Sequence, residues 1–409
     1  MKKIVCFILV FSFIFASLLI PCAAQSQPIS AYDMDYSALS GTSITVYNWG
    51  EYISDGSEGS YDVVAEFEAL TGINVSYETY DSNESMYAKL KSGATNYDVI
   101  IPSDYMIARL AHEGMLEELD LESIPNYRYI DDKYKGLYYD PENKYSIAYT
   151  AGYLGLIYNT EVVTETPSSW DIMWDDRYIG KILMINNPRD AFGVAQFLLG
   201  QSVNTQNEDE WYAALEKLKE QKPLVKGYVM DEIFNKMESG DADIAAYYAG
   251  DFLTMYCENE SLAFVYPEEG TNIFVDAMCI PKGAKNKAAA ELFINFMLEP
   301  EVAVANAEYI CYASPCESVY TNEEYIEYMT DIHEDAMSIL YGTDDVYAQY
   351  YENLPTETLA KMNSLWEELK VECSSGYGVY IASGVIVAAL VLMLGVSAYR
   401  KKKRAKYYD

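Results

Sequence analysis

The sequence predicts an α/β protein built as two lobes, and two patterns support this fold class. Short apolar strands alternate with amphipathic helices over residues 44–118, in the β-α-β-α-β-α order of a parallel or mixed sheet with helices on its faces. The apolar, glycine-bearing stretch 149–158 and the similar stretch 272–280 then indicate hinge crossings between two lobes. A chain of 409 residues that is 50% hydrophobic is long enough for two domains of ordinary size.

The N-terminal end carries the features of an export signal. Residues 1–24 have a basic start, an apolar middle and small residues at the end, which is the pattern of a cleaved signal peptide. Lipidation of Cys22 stays open as a second form of attachment, although Pro21 stands where a lipobox has a small residue. Residues 25–40, rich in Tyr, Asp and Ser, are predicted to be a flexible leader.

The C-terminal end predicts a membrane anchor. Residues 379–399 are uncharged and almost continuously apolar, and about 20 such residues span a bilayer as a helix. Residues 400–409 begin with five consecutive basic residues, as expected for a cytoplasmic tail. The body is therefore expected outside the cytoplasm, held to the cell membrane by a single span.

The first predicted strand, residues 44–47, ends in side chains that suit a ligand. Asn48 and Gly50 supply turn chemistry, and ligands of open α/β sheets lie beyond the carboxyl ends of the strands. Trp49, Glu51 and Tyr52 follow this strand. A ring face beside a carboxylate suits a cation with an apolar body, while the alternative is that Trp49 caps the core.

The remaining elements continue both lobes in order. Residues 41–150 and 275–330 are assigned to lobe 1, and residues 151–274 and 331–372 to lobe 2. The pattern predicts strands at 73–77, 97–101, 181–185 and 243–248, and helices at 60–70, 84–91, 106–118, 191–199, 211–220, 230–238 and 287–298, with mainly helical structure to 369.

Charge, cysteine and histidine content narrow the function. A formal net charge of −35 excludes nucleic acid as a partner and favours cationic ligands, although acidity also keeps an exported domain soluble. No two cysteines have the CxxC spacing of a metal or redox site, so no cofactor or metal is expected. Cys311 and Cys316 are candidates for a disulfide. The two histidines have no partner residues at the spacing of a metal site or a catalytic triad, so we expect that the protein is not an enzyme. The distant alternative is a glycosidase that uses a pair of acidic residues.

Five blocks of the sequence resemble one known family. The blocks at 47–52, 82–90, 97–103, 285–289 and 294–297 are similar to the spermidine/putrescine-binding proteins of ABC importers, and the likeness runs in order from about residue 41 to residue 369. The resemblance implies the two-lobed fold of periplasmic binding proteins, with the ligand enclosed between the lobes.

The resemblance also implies the ligand-binding side chains. In the family, aromatic rings surround the methylene chain and carboxylates hold the ammonium groups. The matching positions in this chain are Trp49, Glu51, Tyr52, Ser103, Tyr105, Asn187, Asp190, Tyr248, Phe274, Asp276, Tyr312 and Glu352.

Two positions depart from the family pattern. Asn187 stands where the family has a second carboxylate, and Gly50 replaces a Thr. Losing an acid weakens the hold on one ammonium, and Glu352, or Asp104 beside Ser103, is a candidate to restore it. The preference between putrescine and spermidine stays open.

The resemblance finally implies partners. They are a polyamine ligand and the permease and ATPase subunits of an importer. The receptor itself is expected to be a monomer. Two alternatives within the same fold stay open: a ferric-ion binder using phenolates such as the adjacent Tyr247 and Tyr248, and a sensor that reports polyamine to another protein.

Overall fold

The computed structural model describes residues 30–93 and 96–371. The predicted signal peptide (1–24), membrane helix (379–399) and basic tail (400–409) lie outside the described residues. Within the described part of the chain, no helix combines the length and the apolar character needed to cross a membrane.

Ten strands and thirteen α-helices make up the described chain, connected by short 3₁₀ turns. The strands are β1 (Ser43–Trp49), β2 (Asn74–Tyr80), β3 (Val99–Ile100), β4 (Ser146–Asn159), β5 (Ile182–Ile185), β6 (Val225–Val229), β7 (Ile244–Tyr248), β8 (Leu262–Val265), β9 (Thr271–Cys279) and β10 (Ala348–Gln349). The helices are α1 (Val63–Thr71), α2 (Asn83–Ser92), α3 (Asp104–His112), α4 (Pro188–Leu198), α5 (Glu208–Gln221), α6 (Glu232–Glu238), α7 (Ala249–Glu258), α8 (Lys287–Met297), α9 (Pro300–Ile310), α10 (Glu317–Tyr320), α11 (Glu323–Ile332), α12 (Ala336–Tyr341) and α13 (Thr356–Val371).

The sheet joins both lobes through two long antiparallel strands. Its order is β2-β1-β3-β9-β4-β7-β5-β6, so that β4 and β9 lie between the parallel strands of lobe 1 and those of lobe 2. These two strands pair from Ser146 opposite Cys279 to Tyr153 opposite Ile273. The proposed lobe boundaries at residues 150 and 275 thus fall inside β4 and β9, which are continuous strands that pass from one lobe to the other.

Local sequence explains where the first helices begin and end. Helix α1 starts when the Asp62 carboxylate accepts a hydrogen bond from the Ala65 amide (2.9 Å), which satisfies a free N–H of the first turn. It ends at Gly72, whose φ of 69° is left-handed and is tolerated because glycine has no Cβ. The predicted helix 106–118 is shorter in the structure and ends at His112, just before the left-handed Gly114 (φ 67°).

Residues 30–40 differ from the predicted flexible leader. Ala31 and Tyr36 are buried, and the Glu299 carboxylate accepts hydrogen bonds from the Ser30 hydroxyl (2.9 Å) and the Ala31 amide (2.8 Å). A buried carboxylate needs such donors. This segment is therefore packed on lobe 1.

The suggested disulfide between Cys311 and Cys316 is wrong. Both are free, buried thiols. Cys311 has a left-handed backbone at the end of α9, and its thiol donates to the Glu308 carbonyl (3.5 Å). Cys316 instead precedes α10 and pairs through its backbone with Ile130.

Candidate functional site

A cleft with about 800 Å³ of empty space, including its open mouth, lies between the two lobes. Its walls are the carboxyl ends of β1, β2 and β3, the middle of β9, and the starts of α4 and α7. The lining residues are Trp49, Gly50, Glu51, Tyr52, Tyr80, Asp81, Asn83, Ser103, Asp104, Tyr105, Asn187, Asp190, Met230, Asp231, Phe234, Tyr247, Tyr248, Asp251, Asn272, Phe274, Asp276, Tyr312 and Tyr351.

The structure brings every site residue expected from the sequence into this lining except Glu352. The Glu352 side chain is exposed, and its residue contributes backbone contacts: its amide donates to the Asn204 Oδ1 (2.8 Å) and its carbonyl accepts from Arg189 (3.1 Å). The preceding residue, Tyr351, is buried and lines the cleft instead. The structure therefore places Tyr351, and not Glu352, in the lining of the cleft.

The charge of the cleft is entirely negative among its described lining residues. Seven lining side chains are carboxylates, while no Lys, Arg or His of the described chain lines the space. The carboxylates are Glu51, Asp81, Asp104, Asp190, Asp231, Asp251 and Asp276. Such a concentration of like charge in a partly dry cleft attracts a cation.

Asp276 occupies the centre of the site, on β9. It is 4% exposed, and its Oδ2 accepts a hydrogen bond from the Tyr52 hydroxyl (2.8 Å). Its Oδ1 has no hydrogen-bond partner among the described residues. Burial raises the pKa of Asp276 to about 6, against the hydrogen bonds from Ser103 and Tyr52, because a dry environment disfavours the ionised form.

Asp190 lies in the first turn of α4 on the lobe 2 side. It is 3% exposed and accepts a hydrogen bond from the Tyr248 hydroxyl (2.7 Å). Burial raises its pKa to about 6, with the Tyr248 hydrogen bond acting in the opposite direction. The neighbouring Arg189 forms no ion pair with it among the described contacts, because its guanidinium donates to the Val203 carbonyl (3.2 Å) and to Asn204 (2.9 Å).

Asn187 lines the cleft but has a structural task as well. Its Oδ1 accepts a hydrogen bond from the Arg189 amide (3.0 Å) and caps α4. The side-chain amide of Asn187 therefore caps the first turn of α4 and adds no charge to the site.

Asp251 is a site residue that the sequence argument missed. The Tyr312 hydroxyl donates to its Oδ2 (2.9 Å), and burial raises its pKa to about 7, reinforced by the charges of Asp231 and Glu51. The sequence could have pointed to Asp251, because this residue follows the end of the predicted strand at 243–248, where ligand-binding side chains are expected. Gly250 lets Tyr312 approach, since a Cβ there would lie 2.5 Å from a ring carbon of Tyr312.

Aromatic rings form the apolar walls. Trp49 contacts Tyr80 with ring centroids 4.7 Å apart, and its indole N–H donates to the Ile101 carbonyl (3.0 Å), so that the ring is held at the wall. On the lobe 2 side, Tyr248 and Phe274 meet edge to face at 5.3 Å. Gly152 in β4 makes room for Phe274, because a Cβ there would lie 2.6 Å from the ring.

A hydrogen-bonded group orders the end of β3. The Asn83 amide donates to the Ser103 hydroxyl (3.0 Å) and to the Tyr105 hydroxyl (3.1 Å), and the latter donates to Glu84 (3.1 Å). Asn83 belongs to a block that carried the resemblance, but it was not predicted to line the site. Its two donors fix Ser103 and Tyr105 in place.

The two lobes approach each other closely at the mouth of the cleft. A Cβ on Gly50 in lobe 1 would lie 2.8 Å from the Asp231 Oδ2 in lobe 2. Glu51, next in the chain, has a left-handed backbone with φ of 48°, which is uncommon for a residue with a side chain and typical of functional sites. The Thr that the family has in place of Gly50 would not fit this arrangement unchanged.

The described residues 30–93 and 96–371 contain no group of three or more His, Cys, Asp or Glu side chains placed to hold a metal ion. What the cleft offers is a set of hydrogen-bond acceptors and ring faces.

Comparison with known proteins identifies the family. Residues 62–330 match the family model described as bacterial extracellular solute-binding protein. The chain is 32% identical over 323 residues to the spermidine/putrescine-binding periplasmic protein of Salmonella typhimurium, covering 75% of this chain and 90% of that protein. It is 28% identical over 353 residues to the putrescine-binding periplasmic protein SpuD of Pseudomonas aeruginosa, covering 80% and 91%.

Solved structures agree with this assignment. A putative spermidine/putrescine ABC transporter protein from Listeria monocytogenes is 37% identical with a TM-score of 0.74, over 81% of this chain and 99% of that one. The spermidine/putrescine ABC transporter substrate-binding protein PotD from Streptococcus pneumoniae is 34% identical with a TM-score of 0.66 over the same shares. The resemblance and the two-lobed fold predicted from the sequence are confirmed, and the chain belongs to the bacterial extracellular solute-binding proteins.

Proposed function

We propose that this protein is the extracytoplasmic receptor for a polyamine such as putrescine or spermidine, which it passes to an ABC importer. The observation that carries the proposal is the composition of the cleft: seven carboxylates and a set of aromatic rings, with no basic side chain among the described lining residues. Anionic and neutral solutes do not suit such a lining, whereas a di- or triammonium ligand does.

The physical balance of the site favours an elongated cation. A buried ammonium must be paired and hydrogen-bonded, because removing it from water is costly. Asp190 and Asp276 stand on different elements, so they suit nitrogens separated by several methylenes. Ring faces such as Trp49 and Phe274 bury those methylenes, at about 0.8 kcal/mol for each CH₂, and attract positive charge.

The relatives support the same ligand class. The Salmonella, Listeria and Streptococcus proteins are named for spermidine and putrescine, and SpuD for putrescine. These proteins are receptors of transporters, so we infer that this chain is a receptor and not an enzyme. Permease and ATPase subunits are its proposed partners.

Attachment and motion complete the proposal. The apolar stretch 379–399 followed by a basic tail supports a single-pass anchor in the cell membrane, which would keep the receptor near its permease. The chain works as a monomer. Because the cleft walls come from both lobes joined by β4 and β9, we propose that the lobes close on the ligand by bending at these strands.

Calorimetric titration of residues 25–372 tests the function. We expect saturable binding of one putrescine or spermidine per chain, and no heat of binding with glutamate or a neutral dipeptide of similar length. Titration with Fe(III) serves as the control for the phenolate alternative, for which a red tyrosinate absorbance is the signature. Absence of binding by every polyamine at millimolar concentration would overturn the proposal.

A further inference from the structure

A second buried carboxylate lies beside Asp276 in the cleft wall. Ser103 and Asp276 face each other in an antiparallel bridge, and the neighbouring Ala277 amide donates to the Pro102 carbonyl (3.0 Å). Asp104, the next residue, begins α3, lines the same cleft and is 0% exposed. The backbone therefore fixes Asp104 next to the central carboxylate.

Each of these two carboxylates keeps one oxygen without a partner among the described residues. Asp104 Oδ1 accepts a hydrogen bond from the Tyr105 amide (2.7 Å), while Asp104 Oδ2 has none. Asp276 Oδ1 is unpaired in the same way. No Lys, Arg or His of the described chain forms an ion pair with either residue, although buried acceptors are almost always paired.

The environment of Asp104 is that of a carboxylate lacking its counter-ion. Burial raises its pKa well above the ordinary value and the charge of Asp276 raises it further, whereas hydrogen bonds from the Tyr105 and Val275 amides and the Tyr138 side chain act in the opposite direction. An ammonium group offers three N–H donors and one positive charge, so it can donate to both unpaired oxygens and attracts both carboxylates in their ionised form. A neutral donor would satisfy the hydrogen bonds and leave the charges uncompensated.

We propose that Asp104 is a ligand-binding carboxylate that holds, together with Asp276, one primary ammonium of the bound polyamine. The inference rests on the proposed function and adds a residue that the family resemblance does not assign. Asp104 thus adds a carboxylate at the Asp276 end of the cleft, whereas the uncharged Asn187 caps α4 near Asp190.

Isosteric replacement tests the assignment in the chain from residue 25 to the end, purified in non-ionic detergent. Asp104→Asn should raise the Kd for putrescine about 30-fold or more, the range measured for removing one partner of a buried charge pair. Asp140→Asn is the matched control: it is a buried carboxyl of lobe 1 that accepts from the Lys144 and Tyr145 amides, outside the cleft lining. The Kd of the Asp140→Asn variant for putrescine should stay within about twofold of the Kd of the unmodified chain.

Proton release distinguishes a ligand carboxylate from a structural one. A carboxyl with a raised pKa that binds an ammonium loses its proton on binding. Putrescine binding at pH 6 should therefore release fewer protons from the Asp104→Asn variant than from the unmodified chain, as measured by calorimetry in two buffers of different ionisation enthalpy. Asp104→Ser, tolerated at a helix start, repeats the test should the Asn variant fail to fold. Unchanged affinity in a folded variant, or lost affinity with an unchanged proton count, would overturn the assignment alone. Failure of the unmodified chain to bind any polyamine would overturn the proposed function itself.

Discussion

Acidification should weaken polyamine binding through Asp190 and Asp276. Burial raises the pKa of each of them to about 6 in the free protein, whereas the amines of the ligand resemble lysine, with a pKa of about 10.4, and stay protonated throughout. A bound ammonium favours the ionised carboxylates and lowers their pKa values. Protons are therefore released on binding, and affinity falls as the pH falls through 6.

The magnitude follows from the two pKa values. A carboxyl group with a pKa of about 6 is nearly all ionised at pH 8 but only about one-tenth ionised at pH 5. Because the ligand binds the ionised form, each such group lowers the affinity about tenfold between pH 8 and pH 5. If the ligand needs both carboxylates, the Kd rises about 100-fold between pH 8 and pH 5, which corresponds to about 2.7 kcal/mol. Asp251, with a pKa of about 7, adds to the effect if it contacts the ligand.

Isothermal titration calorimetry with putrescine at pH 5, 6, 7 and 8 measures this dependence. Repeating the titration at pH 6 in two buffers of different ionisation enthalpy should show about one proton released by Asp190 and Asp276 together, because each of them is half protonated there, and a further proton if Asp104 binds the ligand as proposed. Glu352→Gln, which removes a carboxylate outside the cleft, should keep the whole pH dependence. Polyamine affinity that stays constant from pH 5 to pH 8 would refute the reasoning.

The same pKa values make the opposite prediction for the stability of the unbound protein. For Asp276 and Asp190 the folded pKa of about 6 lies above the unfolded value of about 3.9. Their protonation thus stabilises the fold at low pH, and this contribution is lost as the pH rises through 6. The Tm of the ligand-free protein should fall between pH 5 and pH 8, and putrescine should restore it at pH 8; a Tm that rises over this interval in the absence of ligand would contradict the sign.

Three further changes separate the parts of the site. Asp276→Asn should weaken putrescine binding at pH 8 by about 100-fold while leaving the Tm equal or higher, since a buried charge is removed; near-normal calorimetric affinity would count against the site. Phe274→Leu should weaken binding by about fivefold to 30-fold, because a ring that contacts cation and methylenes contributes about 1–2 kcal/mol; a loss as large as that of Asp276→Asn would instead indicate a damaged fold, which near-UV circular dichroism checks. Gly152→Ala places a Cβ where Phe274 now packs, 2.6 Å from its ring, so it should lower affinity as much as Phe274→Leu does, and an unchanged Kd would show that the ring position does not matter.

The strand ends were the part of the site that the sequence could predict. Trp49, Glu51 and Tyr52 follow β1, and Ser103 and Tyr105 follow β3; because the ends of neighbouring parallel strands meet at one edge of a sheet, these residues converge as expected. The same logic applied to the end of β2 would have found Asp81. The hinge strand residues Phe274 and Asp276 came from the resemblance, since an apolar crossing strand does not by itself show which of its side chains face the cleft.

The missed parts have physical reasons. Strand β6 (Val225–Val229) is an edge strand containing Lys226 and Gly227, so its pattern is weak, and Asp231 beyond its end was not recognised. Around Tyr351 the chain is irregular and has no periodic pattern to fix which side chain faces inward, so the sequence did not show that Tyr351, and not Glu352, lines the cleft. Packing of the leader on Glu299 depends on a contact between residues 268 positions apart in the chain, which local patterns do not reveal.

A crystal structure of the protein grown with putrescine or spermidine tests the central claim most directly. We predict an extended ligand in the cleft, with one nitrogen about 2.7–3.2 Å from the free Oδ1 of Asp276 and its methylenes between the rings of Trp49 and Phe274. An empty cleft at saturating polyamine, or a ligand bound only at an outer acidic surface, would contradict the account.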